Sequence, residues 1–391
     1  MESAYNFTKV FAAACLGMLL FGIVMISLGS ILPELMTKYG LDERQAGALA
    51  SLLPFGVLAG SLLFGPIVDR YSYRGLLIIS ALLILAGLEG IAFADDTATL
   101  NLSLLLIGIG GGAINGGTNA LVADISADRP GSRGANLSFL GVFFGIGALG
   151  MPAILGLLAQ YFAYDRILAG IGLFILAPVL FFFVIRFPQP KQEQGIPLRQ
   201  WAGLLRDAHL LLLSFFLFFQ SAVEGVANNW TTAFLQGRAD MAPANALYVL
   251  SLFVLGMTLT RLLLAGLLRH LRPYLVLGAS LVLALAACLL LWRGGAPGAT
   301  AGLALLGVGV AAGFPVLLGY IGDLFAAVSG TAFSIALSIA LFGNILANYG
   351  MGRAAEAYGL GVFPWLLAGA LAVQVLLLGL IVRRLRRKTN I

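Results

Sequence analysis

One carboxylate interrupts the apolar run FFQSAVEGVANNWTTAF, residues 218–234. Gln220, Glu224 and Asn228 recur at i, i+4 and i+8, which on a helix places them on one face, with Thr231 close to the same stripe. An acid in hydrocarbon costs about 2.5–3.5 kcal/mol on insertion scales, so Glu224 is expected to face a cavity or a partner. Three chemistries fit it: carrying a proton or another cation, hydrogen bonding to a polar solute, or pairing with a buried group. Trp230 adds a flat apolar ring with one N–H. That suits the apolar face of a sugar, and equally an anchor at the membrane interface.

Amides repeat the pattern elsewhere. Asn115 and Asn119 are spaced i, i+4 beside Thr118 in the glycine-rich run GIGGGAINGG; Asn344 and Asn348 are spaced the same way, and Asn136 stands alone. Amides donate and accept without carrying charge. With Gln220 and Asn228 they predict an amide-rich, carboxylate-poor lining that suits a neutral polyhydroxylated solute better than a strongly charged one. Interhelical hydrogen bonding without a ligand is the alternative for each pair. Arg261 is the one basic residue inside an apolar span, read either as the counter-ion of an organic anion or as a structural cation reaching for the inner face. Glu89 reads as interfacial. His209, His270, Cys15 and Cys288 show no metal-ligand or nucleophile spacing, so neither an enzyme, a metal site nor a cofactor is expected, apart from H+ or Na+ as a coupling ion.

The elements that must hold these residues follow from composition. Of 391 residues 60% are hydrophobic and 10% charged, which is membrane composition. A span needs about 20 apolar residues, and twelve are predicted near 11–35, 45–68, 75–94, 100–123, 134–158, 167–187, 209–233, 244–267, 274–292, 299–322, 330–352 and 362–382. With the N-terminus inside, 16 of the 23 Lys and Arg fall on the inner side and six outside. Both termini are therefore expected in the cytoplasm, topology control explaining the net charge of +6 better than nucleic acid does. The expected partners are a small solute and the bilayer, with the chain a monomer, in a bacterial cytoplasmic membrane.

Residues 188–207 form the longest hydrophilic connection and divide an N-terminal bundle, 1–187, from a C-terminal one, 208–391. The halves resemble each other: the stretch from Gly56 aligns with that from Gly256, and 105–115 with 304–314, at offsets of 200 and 199. The predicted fold is all-α, twelve helices in two pseudo-symmetric six-helix bundles. Repeats around a midplane site are an architecture of secondary transporters.

GPIVDRYSYRG, residues 65–75, resembles the loop between the second and third helices of the major facilitator superfamily, with Ser72, Tyr73 and Arg74 where the family has Gly-Arg-Lys. The resemblance implies conformational gating by Gly65, Asp69, Arg70 and Arg74; a charged topology loop is the plainer reading. SLGSILPEL, GIGGGAINGGTNALVAD, VEGVANNW and GFPVLLGYIGD are most similar to the fucose permease-like branch, which includes sodium-dependent glucose transporter-like proteins. That implies cation-coupled sugar uptake by alternating access, with Asn115, Asn119, Gln220, Glu224, Asn228, Trp230, Asn344 and Asn348 at the substrate and Glu224 at the ion. The acids that the proton-linked fucose members carry in their first and fourth helices align here with Gly29 and Asn115, so uncoupled diffusion stays open. FLGVFFGIGALGMP, residues 139–152, resembles an antiporter motif and keeps proton-driven efflux of an amphipathic compound or organic anion as the alternative.

Overall fold

The computed structural model describes residues 5–126, 132–188, 203–267, 271–293, 295–325 and 329–389. All regular structure among them is helical: α1 (Phe7–Tyr39), α2 (Glu43–Phe93), α3 (Thr97–Ile125), α4 (Ser132–Leu158), α5 (Tyr164–Phe174), α6 (Leu176–Val184), α7 (Ala208–Ala239), α8 (Pro243–Leu267), α9 (Pro273–Arg293), α10 (Gly295–Val310), α11 (Gly313–Leu324), α12 (Ser329–Tyr358) and α13 (Phe363–Thr389). Twelve segments are long and apolar enough to cross a membrane. Their outward faces are apolar too, as at Leu180, Leu263 and Leu376, which is the surface a bilayer solvates.

Local chemistry sets the helix ends. Asn6 caps α1 by accepting from the Lys9 N–H, and Asp207 caps α7 by accepting from those of His209 and Leu210. Asp42 and Gln45 bond reciprocally at the start of α2. Asp96 accepts from the Thr99 N–H ahead of α3, and that bond holds its carboxyl below the usual range. Gly40 ends α1 in the left-handed region at φ 61°. Within α2 the Val57 carbonyl faces Gly112 and the Ser80 carbonyl faces Gly110 on α3, so the chain doubles back between residues 57 and 80, around the loop expected over 65–75.

The contacts divide the chain into two compact units. Unit 1 is Met1–Gly40 with Leu52–Ile196, and unit 2 is Leu41–Ser51 with Pro197–Ile391. In unit 1 the long α1 is buried through Leu20, Ile26, Leu28, Ile31 and Leu35 and packs on α3 and α4. Unit 2 is built around α7, whose Phe216 and Trp230 are among the largest fully buried side chains and which packs on α8, α11, α12 and α13. The connection expected at 188–207 lies mostly outside the described residues.

The repeat read in the sequence returns as one helix crossing made twice. In unit 1 a Cβ on Gly56 would stand 2.8 Å from the Leu105 carbonyl oxygen; in unit 2 one on Gly256 would stand 2.8 Å from that of Ala304. Gly108 faces the Leu53 carbonyl as Gly307 faces that of Phe253. These pairs lie 199 or 200 residues apart, the offsets of the sequence alignment. Glycine permits backbone-to-backbone contact there, which drives helix association where lipid supplies no hydrophobic contrast.

Candidate functional site

The tenth span breaks at Ala311 and Ala312, between α10 and α11. Pro315 lies in the first turn of α11, where proline is tolerated, and lacks the N–H that would otherwise bond to the Ala311 carbonyl. Polar side chains from α7 and α8 take the freed acceptors. Gln220 Nε2 donates to the Val310 oxygen at 2.7 Å, and Arg261 Nε to the Ala311 oxygen at 3.4 Å. Gly313 makes room, since a Cβ there would overlap the Gln220 amide.

The two side chains that hold the break also hold Glu224. Arg261 Nη2 lies 3.2 Å from both carboxylate oxygens, and Gln220 Nε2 donates to Oε1 at 2.8 Å. Gln374 on α13 donates to Gln220 Oε1 at 2.9 Å. Arg261 and Glu224 keep 27% and 14% of their side-chain surface exposed, so the pair is not fully buried. Four segments of unit 2 therefore join in one hydrogen-bonded cluster around Glu224. Among the described residues it is the one carboxylate–guanidinium pair, and no group of His, Cys, Asp and Glu could hold a metal ion.

The other predicted residues divide into committed and open groups. Asn348 Nδ2 donates to the Asn344 backbone oxygen at 2.9 Å and to Asn344 Oδ1 at 2.7 Å, while Asn348 Oδ1 accepts from Asn229 Nδ2 at 3.0 Å. Asn344 packs on the α7 backbone at Gly225. This ladder ties α12 to α7. Asn228 and Trp230 are buried, and Asn228 Oδ1 and Trp230 Nε1 find no protein partner. In unit 1 Asn119 Nδ2 bonds to the Asn115 backbone oxygen and Oδ1 at 2.9 and 3.0 Å, on a partly exposed surface. Asn136 donates to Ser126 Oγ at 2.9 Å.

Of the expected gating residues, Arg74 donates to the Phe183 backbone oxygen in the last turn of α6 and lies over the Phe183 ring. The side chains of Asp69 and Arg70, and the surroundings of Gly65, lie outside the described residues. Glu89, expected at the interface, is partly exposed, with Oε1 buried near Gly172. Three polar residues escaped the sequence reading although each interrupts an apolar run: Gln374, Asn229, and Glu34 on α1, whose Oε2 is buried without a partner.

Residues 14–348 match the family described as the Major Facilitator Superfamily. The chain belongs to that superfamily. It is an integral membrane transporter and not an enzyme. Among curated relatives, the benzoate transport protein of Acinetobacter baylyi is 27% identical over 166 residues, 41% of this chain and 35% of that protein. The match thus spans about a third of that relative's length. The 3-(3-hydroxy-phenyl)propionate transporter of Escherichia coli is 27% identical over 337 residues, covering 85% of this chain and 78% of that one. Two solved structures share the fold: the nucleoside transporter NupG (D323A mutant) at TM-score 0.81 and 15% identity, covering 95% of this chain and 99% of that one, and a D-xylose-proton symporter at 0.79 and 18%, covering 95% and 97%.

Proposed function

We propose that this major facilitator protein carries a small organic anion, together with a proton, across a bacterial cytoplasmic membrane by alternating access, both termini being cytoplasmic. The observation that carries the reading is the partly exposed Glu224–Arg261 pair. While Glu224 is charged it occupies the guanidinium. Once protonated it no longer competes, and an incoming carboxylate restores neutrality at Arg261 by the planar recognition that favours arginine. Proton and anion then travel together. Sodium fits the same carboxylate poorly, because its oxygens face the N–H donors of Gln220 and Arg261 and not the oxygen ligands a hard cation requires. Relatives named for benzoate and 3-(3-hydroxy-phenyl)propionate are consistent with a carboxylate.

Neutral-sugar uptake, which the fucose permease-like motifs favour, remains as a second reading on one observation. The Asn119 Nδ2 bonds leave Asn119 Oδ1 and Asn115 Nδ2 for solute hydroxyls on a partly exposed surface. That reading takes Trp230 as the stacking ring, and Trp230 is buried with Nε1 finding no protein partner.

A thermal-shift plate separates the two. Benzoate, 4-hydroxybenzoate and 3-(3-hydroxyphenyl)propionate are screened beside xylose, fucose and uridine at two pH values, with and without sodium. A ligand at about 100 times its Kd stabilises by about 2.7 kcal/mol. Stabilisation by carboxylates that strengthens at the lower pH and vanishes in Arg261→Gln supports the proposal. A response to sugars alone rejects it. Glu224→Gln should abolish concentrative uptake while sparing counterflow; undiminished proton-driven accumulation in that variant would remove Glu224 as the carrier.

A further inference from the structure

The two oxygens of Glu224 are not equivalent. Oε1 accepts from both Gln220 and Arg261, whereas Oε2 accepts from Arg261 alone. The Gln220 amide cannot be turned over to change this. One of its ends faces two acceptors, Glu224 Oε1 and the Val310 carbonyl, and must carry the hydrogens; the other receives the Gln374 N–H. We infer that Gln220, oriented by Gln374, is a positioning residue that keeps the proton off Oε1 and directs it to Oε2, so that protonation neutralises the carboxylate and leaves Arg261 held at Oε1 alone.

The step balances. An O–H bond forms at Oε2, the Arg261 Nη2–H···Oε2 hydrogen bond is lost while that to Oε1 remains, and the guanidinium keeps its charge. The local charge rises from zero to +1, and an anion can neutralise it. The Gln220 N–H stays on Oε1 throughout, because a carboxylic acid still accepts at its carbonyl oxygen. A proton on Oε1 would instead confront the N–H donors of both Gln220 and Arg261. Arg261 is the charged group that faces Glu224 from the described residues packed around it. Gln220 and Gln374 on that side are neutral, as are Asn344 and Asn348 on α12.

This inference rests on Glu224 as proton carrier and is tested without knowing the substrate. Infrared titration of the purified protein follows the protonated-carboxyl band that disappears in Glu224→Gln. Gln220→Met keeps the side-chain bulk but removes a donor that favours the charged carboxylate, so the midpoint of that band should move to higher pH by about one to two units. Gln374→Met, which removes the donor that holds Gln220 Oε1 and so loosens the amide, should move it the same way by less. A folded Gln220→Met protein with an unshifted midpoint overturns the inference while leaving the carrier reading intact. Should Gln220→Met fail to fold, an unshifted midpoint in Gln374→Met overturns it instead. A band that survives Glu224→Gln unchanged overturns the carrier reading itself.

Discussion

Arg261 bonds to a carboxylate with one nitrogen and to a backbone carbonyl with another, a geometry that only a fork of donors supplies. Lysine would keep the charge but not both bonds, so Arg261→Lys should retain anion-dependent thermal stabilisation while losing part of its affinity. Removing one member of the pair strands the other. Arg261→Gln should cost roughly 1–3 kcal/mol, below the 3–5 typical of fully buried pairs because the arginine keeps 27% of its side chain exposed, and the Glu224→Gln/Arg261→Gln double variant should recover part of the loss. Thermal unfolding of the three variants measures this; a double variant no more stable than Arg261→Gln would show that the pair does not couple. Periodicity had put Gln220 and Glu224 on one face, and the structure joins them. It could not name Arg261 or Gln374 as their neighbours, because spacing fixes a face of one helix but not which residue of another helix stands at the same height.

The break between α10 and α11 is the element-scale counterpart of that cluster. GFP at 313–315 carries its two causes in sequence, a glycine that admits the Gln220 amide and a proline that withholds an N–H, though the sequence reading ran the tenth span straight through. Pro315→Ala would restore the missing donor and let the Ala311 carbonyl bond within the helix, competing with Arg261 Nε. Melting temperature should hold or rise while transport falls, a pairing expected when a site's strain serves function. Gly313→Ala should do the opposite to the fold: its Cβ meets the Gln220 side chain, so the amide must leave Val310 and Glu224, and both stability and uptake should drop. Transport assays alongside thermal unfolding distinguish the two, and equal behaviour of both variants would remove the break from the account.

Across the molecule, the most legible feature was the repeat, since its offset of 199–200 survives as paired glycine crossings, and apolar composition placed the twelve spans. Less legible was which amides remain open. Asn344 and Asn348 matched Asn115 and Asn119 in spacing, yet the former bond to each other and to Asn229 in a buried ladder while the latter stay partly exposed. The repeat also makes a prediction about stability. Gly56 and Gly256 occupy equivalent crossings, but the first is hemmed by backbone on two sides, Leu105 O at 2.8 Å and Gly108 Cα at 2.9 Å, while beyond Ala304 O the second meets its next atom only at 3.4 Å. Overpacking a tight contact costs about 1–3 kcal/mol. Gly56→Ala should therefore fall at the upper end of that range and Gly256→Ala at the lower. The two sites share no partner residue, so the double variant should lose the sum of the two to within about 0.5 kcal/mol. Calorimetric or fluorescence unfolding of the three proteins checks the order and the additivity together. A Gly256→Ala loss as large as that of Gly56→Ala would mean that the repeat conserves the energetics of the crossing as well as its geometry.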